Sequence, residues 1–222
     1  MSNSIPESIL GQGLAYRLSK NYNDIPAYIS LFFNDIQRNK LYKPEFYEKA
    51  ITKKAESYKL DLLENCYSED IVTTLQEVDI RTYLVDDILT KVDRASMSNS
   101  IEVRVPLLDH ELAELTFQMP VDLKLNRGSS KYILKEVMKN YLPRSVLEHK
   151  KQGFGVPLDS WFRSDLKDYS VSRLLSSDSQ LYDFLDMKYV EKIFNNHFMG
   201  MRDSSPKIWM LLFMDEWLSQ NA

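Results

Sequence analysis

The chain has 222 residues, 44% of them hydrophobic and 27% charged, the balance of a soluble globular protein long enough to bury a core. Its net charge of −4 offers no footprint for a nucleic acid, and its one cysteine, Cys66, excludes an internal disulfide and a cysteine-ligated zinc. No stretch approaches the roughly 20 apolar residues that span a bilayer, and no signal peptide opens the chain, so a cytoplasmic protein without a membrane partner is expected.

Only 6 glycines are present, which suits helices better than a loop-rich sheet. Residues 1–13 predict a poorly ordered start and Leu14 to Ser19 a first helix. After a turn over Asn21 to Pro26, Tyr28, Leu31 and Phe32 fall at i, i+3 and i+4 and predict a buried helix over 27–34. Pro44 opens a helix with Phe46, Tyr47, Ala50 and Ile51 inside. Tyr58, Leu62 and Leu63 mark another over 56–67, and Ile71, Leu75 and Val78 a third.

Residues 79–110, DIRTYLVDDILTKVDRASMSNSIEVRVPLLDH, are dense in side chains that can do chemistry. Asp79 can cap a helix by accepting a free first-turn amide. Ile80, Leu84, Ile88, Val92 and Ala95 then recur at helical spacing as a buried stripe. Asp87 with Lys91, and Thr90 with Arg94, share faces at i and i+4. Ser98, Asn99 and Ser100 compete for backbone hydrogen bonds and stop the helix. The period then switches to two, with Ile101, Val103 and Val105 on one side and Glu102 and Arg104 on the other, until Pro106 ends the segment. Such a stretch reads as a solvated helix and linker or as a site. A carboxylate beside a guanidinium among three β-branched residues favours a site.

Beyond it, Asp109 caps a helix with Leu112, Leu115 and Thr116 on one face, and Pro120 stops it. Residues 121–130 form a connector of short extended or turn character, closed by Gly128. Ser129 or Ser130 caps the next helix, which carries Lys131 in its first turn and ends at Tyr141 to Pro143. EHKKQGFGVP at 148–157 is a basic loop whose glycines let it fold over a site. Asp159 begins a helix with Trp161 and Phe162 inside, and 173–179 is polar surface. Tyr189, Ile193, Phe194 and Phe198 share a helical face. Pro206 opens a last helix whose core stripe is Trp209, Leu212, Phe213, Glu216 and Trp217. His110, His149 and His197 are too scattered to suggest a metal cluster, so no metal ligand is expected. One predominantly α-helical domain over 1–222 is the reading.

Two positions carry the sharpest chemical hypotheses. A helix dipole disfavours a first-turn cation such as Lys131 by roughly 0.3–1 kcal/mol. A bound anion reverses that, since free amides with a lysine make a phosphate site; the competing reading is a solvated lysine. Glu102 beside Arg104 is either a general base held by a cation or an ion pair that locks the extended segment.

The runs YLVDDILTKVDRASMSNSIEVRVPLLDHEL, GSSKYILKEVM, LPRSVLEHKKQGFGVPLDSWF and KIWMLLFMDEWL, in this order, resemble the synthetase domain of glutamine-dependent asparagine synthetases. The resemblance implies a mainly α fold: the helical C-terminal part of an α/β ATP-pyrophosphatase-type synthetase domain, lacking the nucleotide-binding parallel sheet. The family's Ser-Gly-Gly-x-Asp-Ser loop, its Ser-Gly-x-Gly-x-Asp-Glu motif and its glutaminase domain do not occur in this sequence, so the chain alone is expected to be inactive.

The parent reaction it implies has two steps. ATP activates the side-chain carboxylate of aspartate as an acyl-adenylate and releases pyrophosphate, with Mg2+ neutralising the phosphates. Glutamine-derived ammonia then attacks to give asparagine and AMP. Implied partners are ATP, aspartate, ammonia and the rest of the synthetase chain, with a homodimer as a further expectation. Implied site residues are Lys131 on phosphate and Glu102 near the acyl centre, with Asp93, Arg94, Arg104, Lys151 and Gln152 binding substrate or supporting those that do. The rival readings are an amidotransferase of the same family acting on a sugar acid or peptide carboxylate, and a helical interaction module without chemistry.

Overall fold

A computed structural model describes residues 20, 24–29, 31–50, 54–68, 70–149 and 155–221. The start over 1–13, the helix expected from Leu14 to Ser19, and Ile51, Lys151 and Gln152 lie outside them. The described residues are helical almost throughout, and the sheet is one two-stranded hairpin. None of their helices is long and apolar enough to cross a membrane. The chain divides into two compact units, Met1–Leu60 with Phe154–Ala222, and Asp61–Gly153. Periodicity marks which face of a segment is apolar and carries no signal for which faces share a core.

The first unit holds the core. The helix expected over 27–34 is only Ile25–Ile29, and a separate helix, Asp35–Leu41, lies beyond the expected range. Asn34 opens the second helix, because its Oδ1 accepts the amide of Gln37 at 2.9 Å while Gln37 Oε1 accepts the amide of Asn34 at 3.3 Å. That reciprocal pair is a capping box. It leaves Phe32 exposed and turns Phe33 and Leu41 inward. Pro44–Ala50 follows as expected.

From the other end of the chain come Leu158–Arg163, Lys167–Leu174, Met187–Phe198 and Ser205–Asn221. Phe33, Leu41, Phe162, Leu174, Leu181, Leu185, Tyr189, Val190, Ile193, Phe194, Ile208 and Leu211 form the buried cluster. Each fully buried Phe or Leu there contributes about 1.5–3 kcal/mol. The two sequence-distant parts are stitched by backbone bonds from Lys43 to the Phe184 carbonyl (2.9 Å) and from Asp186 to the Leu41 carbonyl (2.7 Å).

Three sequence expectations change here. Trp161 is 37% exposed while its neighbour Phe162 is buried. The 173–179 segment is not all surface, since Leu174 closes the core. On the last helix Trp209, Phe213 and Trp217 face outward, and the inner stripe is Ser205, Ile208, Leu211 and Asp215. Asp215 is buried because Arg173 pairs with it at 2.7 Å and the Ser179 hydroxyl donates to it at 2.6 Å.

In the second unit the chain is helical without a break from Ile71 to Met97. Asp70 caps it, accepting the amide of Thr73 at 2.7 Å. Asp79, expected as the cap, sits inside the helix with φ −63° and ψ −38° and makes no capping bond. Ile80–Leu89 is a π-helical turn set between the α-helices Ile71–Asp79 and Thr90–Met97. The stripe expected to be buried is half-buried at Leu84, Ile88 and Val92 and exposed at Ile80 and Ala95; the buried line is Thr74, Val78 and Thr82. Val78 is the one buried hydrophobe among the described residues of this unit.

Candidate functional site

The helix that begins at Asp70 delivers Asp93 and Arg94 on its last turns, both exposed. Ser98, Asn99 and Ser100 end it as expected: the Ser98 hydroxyl and the Asn99 side-chain amide both donate to the Ala95 carbonyl at 2.9 Å, and Ser100 takes a left-handed φ of 57°. The 101–105 segment then runs without pairing to a strand, and every residue of it is exposed. Glu102 and Arg104 pair directly with each other, their side chains 69% and 86% exposed, while Ile101, Val103 and Val105 also stand open to solvent. A pair so exposed contributes little to stability, which removes much of the case for a structural lock.

Asp93, Glu102 and Arg104 line one cleft of about 670 Å³ together with Val85, Leu89 and Met97. Arg94 does not line it, although it is the immediate neighbour of Asp93. The expected Asp87–Lys91 pair forms at 3.6 Å on the exposed face.

Lys131 sits differently from the expectation. Residues 121–130, read as a connector of short extended or turn character, begin with a helical turn, Val121–Lys124. A hairpin follows, with Leu125 opposite Ser130 and Asn126 opposite Ser129. Its turn residues Arg127 and Gly128 have φ of 47° and 81°, the positive pair that a tight two-residue hairpin needs. Ser129 and Ser130 are therefore strand residues and cap nothing. Lys131 itself occupies the capping position of the Tyr132–Met138 helix, in left-handed backbone with φ 56° and ψ 38°, and makes no capping bond. It is exposed and precedes the first turn, so the dipole argument does not apply to it as stated.

Sequence reasoning missed what lies beside it. A cleft of about 980 Å³ is lined by Arg127, Ser129, Lys135, Lys139 and Arg144 together with Glu136 and Glu148. The two carboxylates are taken: Glu136 by Lys139 at 2.6 Å, and Glu148 by Arg144 at 2.7 Å. Lys135 reaches the Ser129 hydroxyl at 3.3 Å. Arg127 and Lys135 thus remain as positive charge without a carboxylate partner among the described residues. The Asn-Arg-Gly-Ser run was a legible turn signal, but the reach of Lys135 back to the hairpin was not. Lys131 lines neither cleft. The structure brings Asp93, Glu102 and Arg104 together and leaves Lys131 apart from them.

The asparagine synthase family profile matches residues 13–219. A glutamine-hydrolysing asparagine synthetase of Bacillus subtilis is 34% identical over 150 residues, covering 68% of this chain and 23% of that protein. The asparagine synthetase of Bos taurus is 30% identical over 144 residues, covering 58% of this chain and 25% of its own length, and that of Mus musculus is 29% identical over 143 residues, with the same shares of the two chains. The chain therefore spans about a quarter of the length of the curated relatives it matches. No solved structure matches it.

Proposed function

Because the chain belongs to the asparagine synthase family, we propose that it forms the helical, C-terminal part of a glutamine-hydrolysing asparagine synthetase, an ATP-dependent amide-forming ligase of the cytoplasm. The convergence of Asp93, Glu102 and Arg104 on one cleft within the family-matched segment carries this reading. In it, the cleft forms one wall of the place where the aspartate side-chain carboxylate is activated and amidated. Glu102 accepts a proton from the attacking ammonia, and Arg104 holds the glutamate in line. Asp93 and Arg94 support the helix end that presents them.

ATP is a substrate here, and Mg2+ enters with it. The positive charge left on Arg127 and Lys135, with the Ser129 hydroxyl between them, suits phosphate oxygens. Lys131, directly after that hairpin and exposed, meets the charge that develops on the departing pyrophosphate. Lys151 and Gln152 bind the nucleotide in this reading. The remaining chain of the synthetase covers the exposed 101–105 face, and water exclusion then gives Glu102 the environment a base requires.

The test is aspartate- and ATP-dependent AMP formation by the synthetase that carries this chain. Lys131→Ala is expected to lower kcat by about 10²–10³, the loss that follows removal of one preorganised charge contact. Glu102→Gln is expected to lower it as well. Wild-type turnover in both variants would sink the reading.

A further inference from the structure

His110 and His149 are exposed, whereas His197 is completely buried, and the amidation reading does not use it. It lies in the last turn of the Met187–Phe198 helix. Its Nδ1 accepts the backbone amide of Ser204 at 3.3 Å. A ring nitrogen that accepts carries no proton, so the imidazole is neutral with its hydrogen on Nε2. That Nε2 is buried without a partner among the described residues.

Ser204 is where the last helix starts. Its carbonyl accepts the amides of Lys207 at 2.9 Å and Ile208 at 3.0 Å, and the residue is buried. Ile208 and Leu211 of that helix belong to the core cluster. The Ser204 amide is thus a buried donor at the head of a core helix, and the imidazole is its acceptor. An apolar ring at 197 would leave that donor unsatisfied, which gives a buried histidine a reason to be there.

The surroundings hold the ring neutral. From the Leu158–Arg163 helix, Arg163 grips Asp159 Oδ1 with Nε at 3.0 Å and Nη2 at 2.8 Å, and its Nη1 donates to the His197 carbonyl. From the turn before the last helix, Asp203 Oδ1 accepts the Ser205 amide at 2.8 Å and the Ser205 hydroxyl at 2.6 Å. These two carboxylate oxygens stand 3.7 Å and 3.9 Å from Nδ1, beyond hydrogen-bond reach, and both are committed elsewhere. From the Lys167–Leu174 helix, the Lys167 ammonium lies 5.1 Å from the centre of the Phe198 ring, which packs against the imidazole. A proton added at Nδ1 therefore finds neither of those oxygens free. Burial, then the Arg163 charge, push the His197 pKa below its ordinary 6.5, against an upward pull from Asp159 and Asp203.

We propose that His197 is an acid-sensitive latch on the last helix: a proton taken from solvent at Nδ1 sets an N–H against the Ser204 N–H and releases the start of that helix. The sign follows from the neutral ring. Folding disfavours the protonated form, so the unfolded chain binds more protons. The stability that the latch contributes is complete above pH 6.5 and is lost as the pH falls below it.

The test follows the imidazole nitrogens and the Ser204 amide of the whole chain by NMR as the pH is lowered through 6.5. Nδ1 of His197 should gain its proton with a midpoint below 6.5, and the Ser204 amide signal should move with the same midpoint. His197→Asn puts an amide oxygen near the place of Nδ1 and does not titrate. Below pH 6.5 the unfolding constant of the parent in urea should rise faster than that of the variant, by up to about tenfold per pH unit. A His197 midpoint at or above 6.5 overturns the proposal, as does a Ser204 amide that ignores the titration. Parallel acid curves for parent and variant overturn it too, because the carboxylates then carry the loss. The spectra of the parent decide the matter even if the variant does not fold.

Discussion

Lys131 combines two properties that can be separated by substitution. Its side chain belongs to the proposed chemistry, and its backbone sits in a left-handed conformation that costs a non-glycine residue about 1–2 kcal/mol. Lys131→Ala should therefore cut synthesis while leaving Tm almost unchanged. Lys131→Gly should cut synthesis equally and raise stability by about 1 kcal/mol, read from urea unfolding. A Lys131→Gly chain less stable than the parent would refute the strain argument. Glu102→Gln separates base from lock: the pair it breaks is so exposed that melting should not move, and only turnover should fall. Tyr182 gives a pH signature. Burial first, then the Glu191 and Asp215 charges, push its pKa from 10.0 up to about 12. Folding thus favours the protonated phenol. The associated stability is complete below pH 10 and disappears as pH rises toward 12. The parent should lose Tm across that window more steeply than Tyr182→Phe, and parallel curves would remove Tyr182 from the account.

Elements were legible in proportion to how local their signals are. The Asp109 cap, the serine-rich stop after Met97 and the Tyr189–Phe194 face each rest on a few neighbouring residues, and each formed. Asn34 was passed over because the apolar pattern of Tyr28, Leu31 and Phe32 ends just before it and drew the helix there instead of after it. The final helix was read on the wrong face for another reason. Residues 208–214 are apolar all round, and such a helix does not announce which side is inward. Within the site, Glu102 and Arg104 were legible because two residues apart in extended chain means one side. Arg127 and Lys135 were not, since their convergence depends on two successive positive-φ residues. One pairing no pattern could reveal joins Arg38 to Glu56, at 2.6 Å and 2.7 Å, with the side chains 13% and 3% exposed. Arg38→Met strands that carboxylate and should destabilise the chain by about 3–5 kcal/mol in urea. Adding Glu56→Leu should recover most of the loss; a double variant as unstable as the single one would show that packing, not charge, was removed.

At the scale of the whole molecule, the apolar surface is unevenly spread. Ile101, Val103, Val105, Leu107 and Leu108 stand between 42% and 59% exposed along one short run. A contiguous patch of this kind marks a surface that something covers. The chain should associate with itself as its concentration rises, and the double variant Val103→Ser, Leu107→Ser should stay monomeric by light scattering at an unchanged Tm. The first unit has a consequence of a different order. It is made of the beginning and the end of the chain, with residues 61–153 between them. On the ribosome, Phe33 and Leu41 emerge long before Phe162, Phe194 and Leu211, their neighbours in the core. The middle unit is complete and free to fold while the first stands half-made, its early helices holding apolar faces open to chaperones and to other nascent chains until the last helix leaves the exit tunnel.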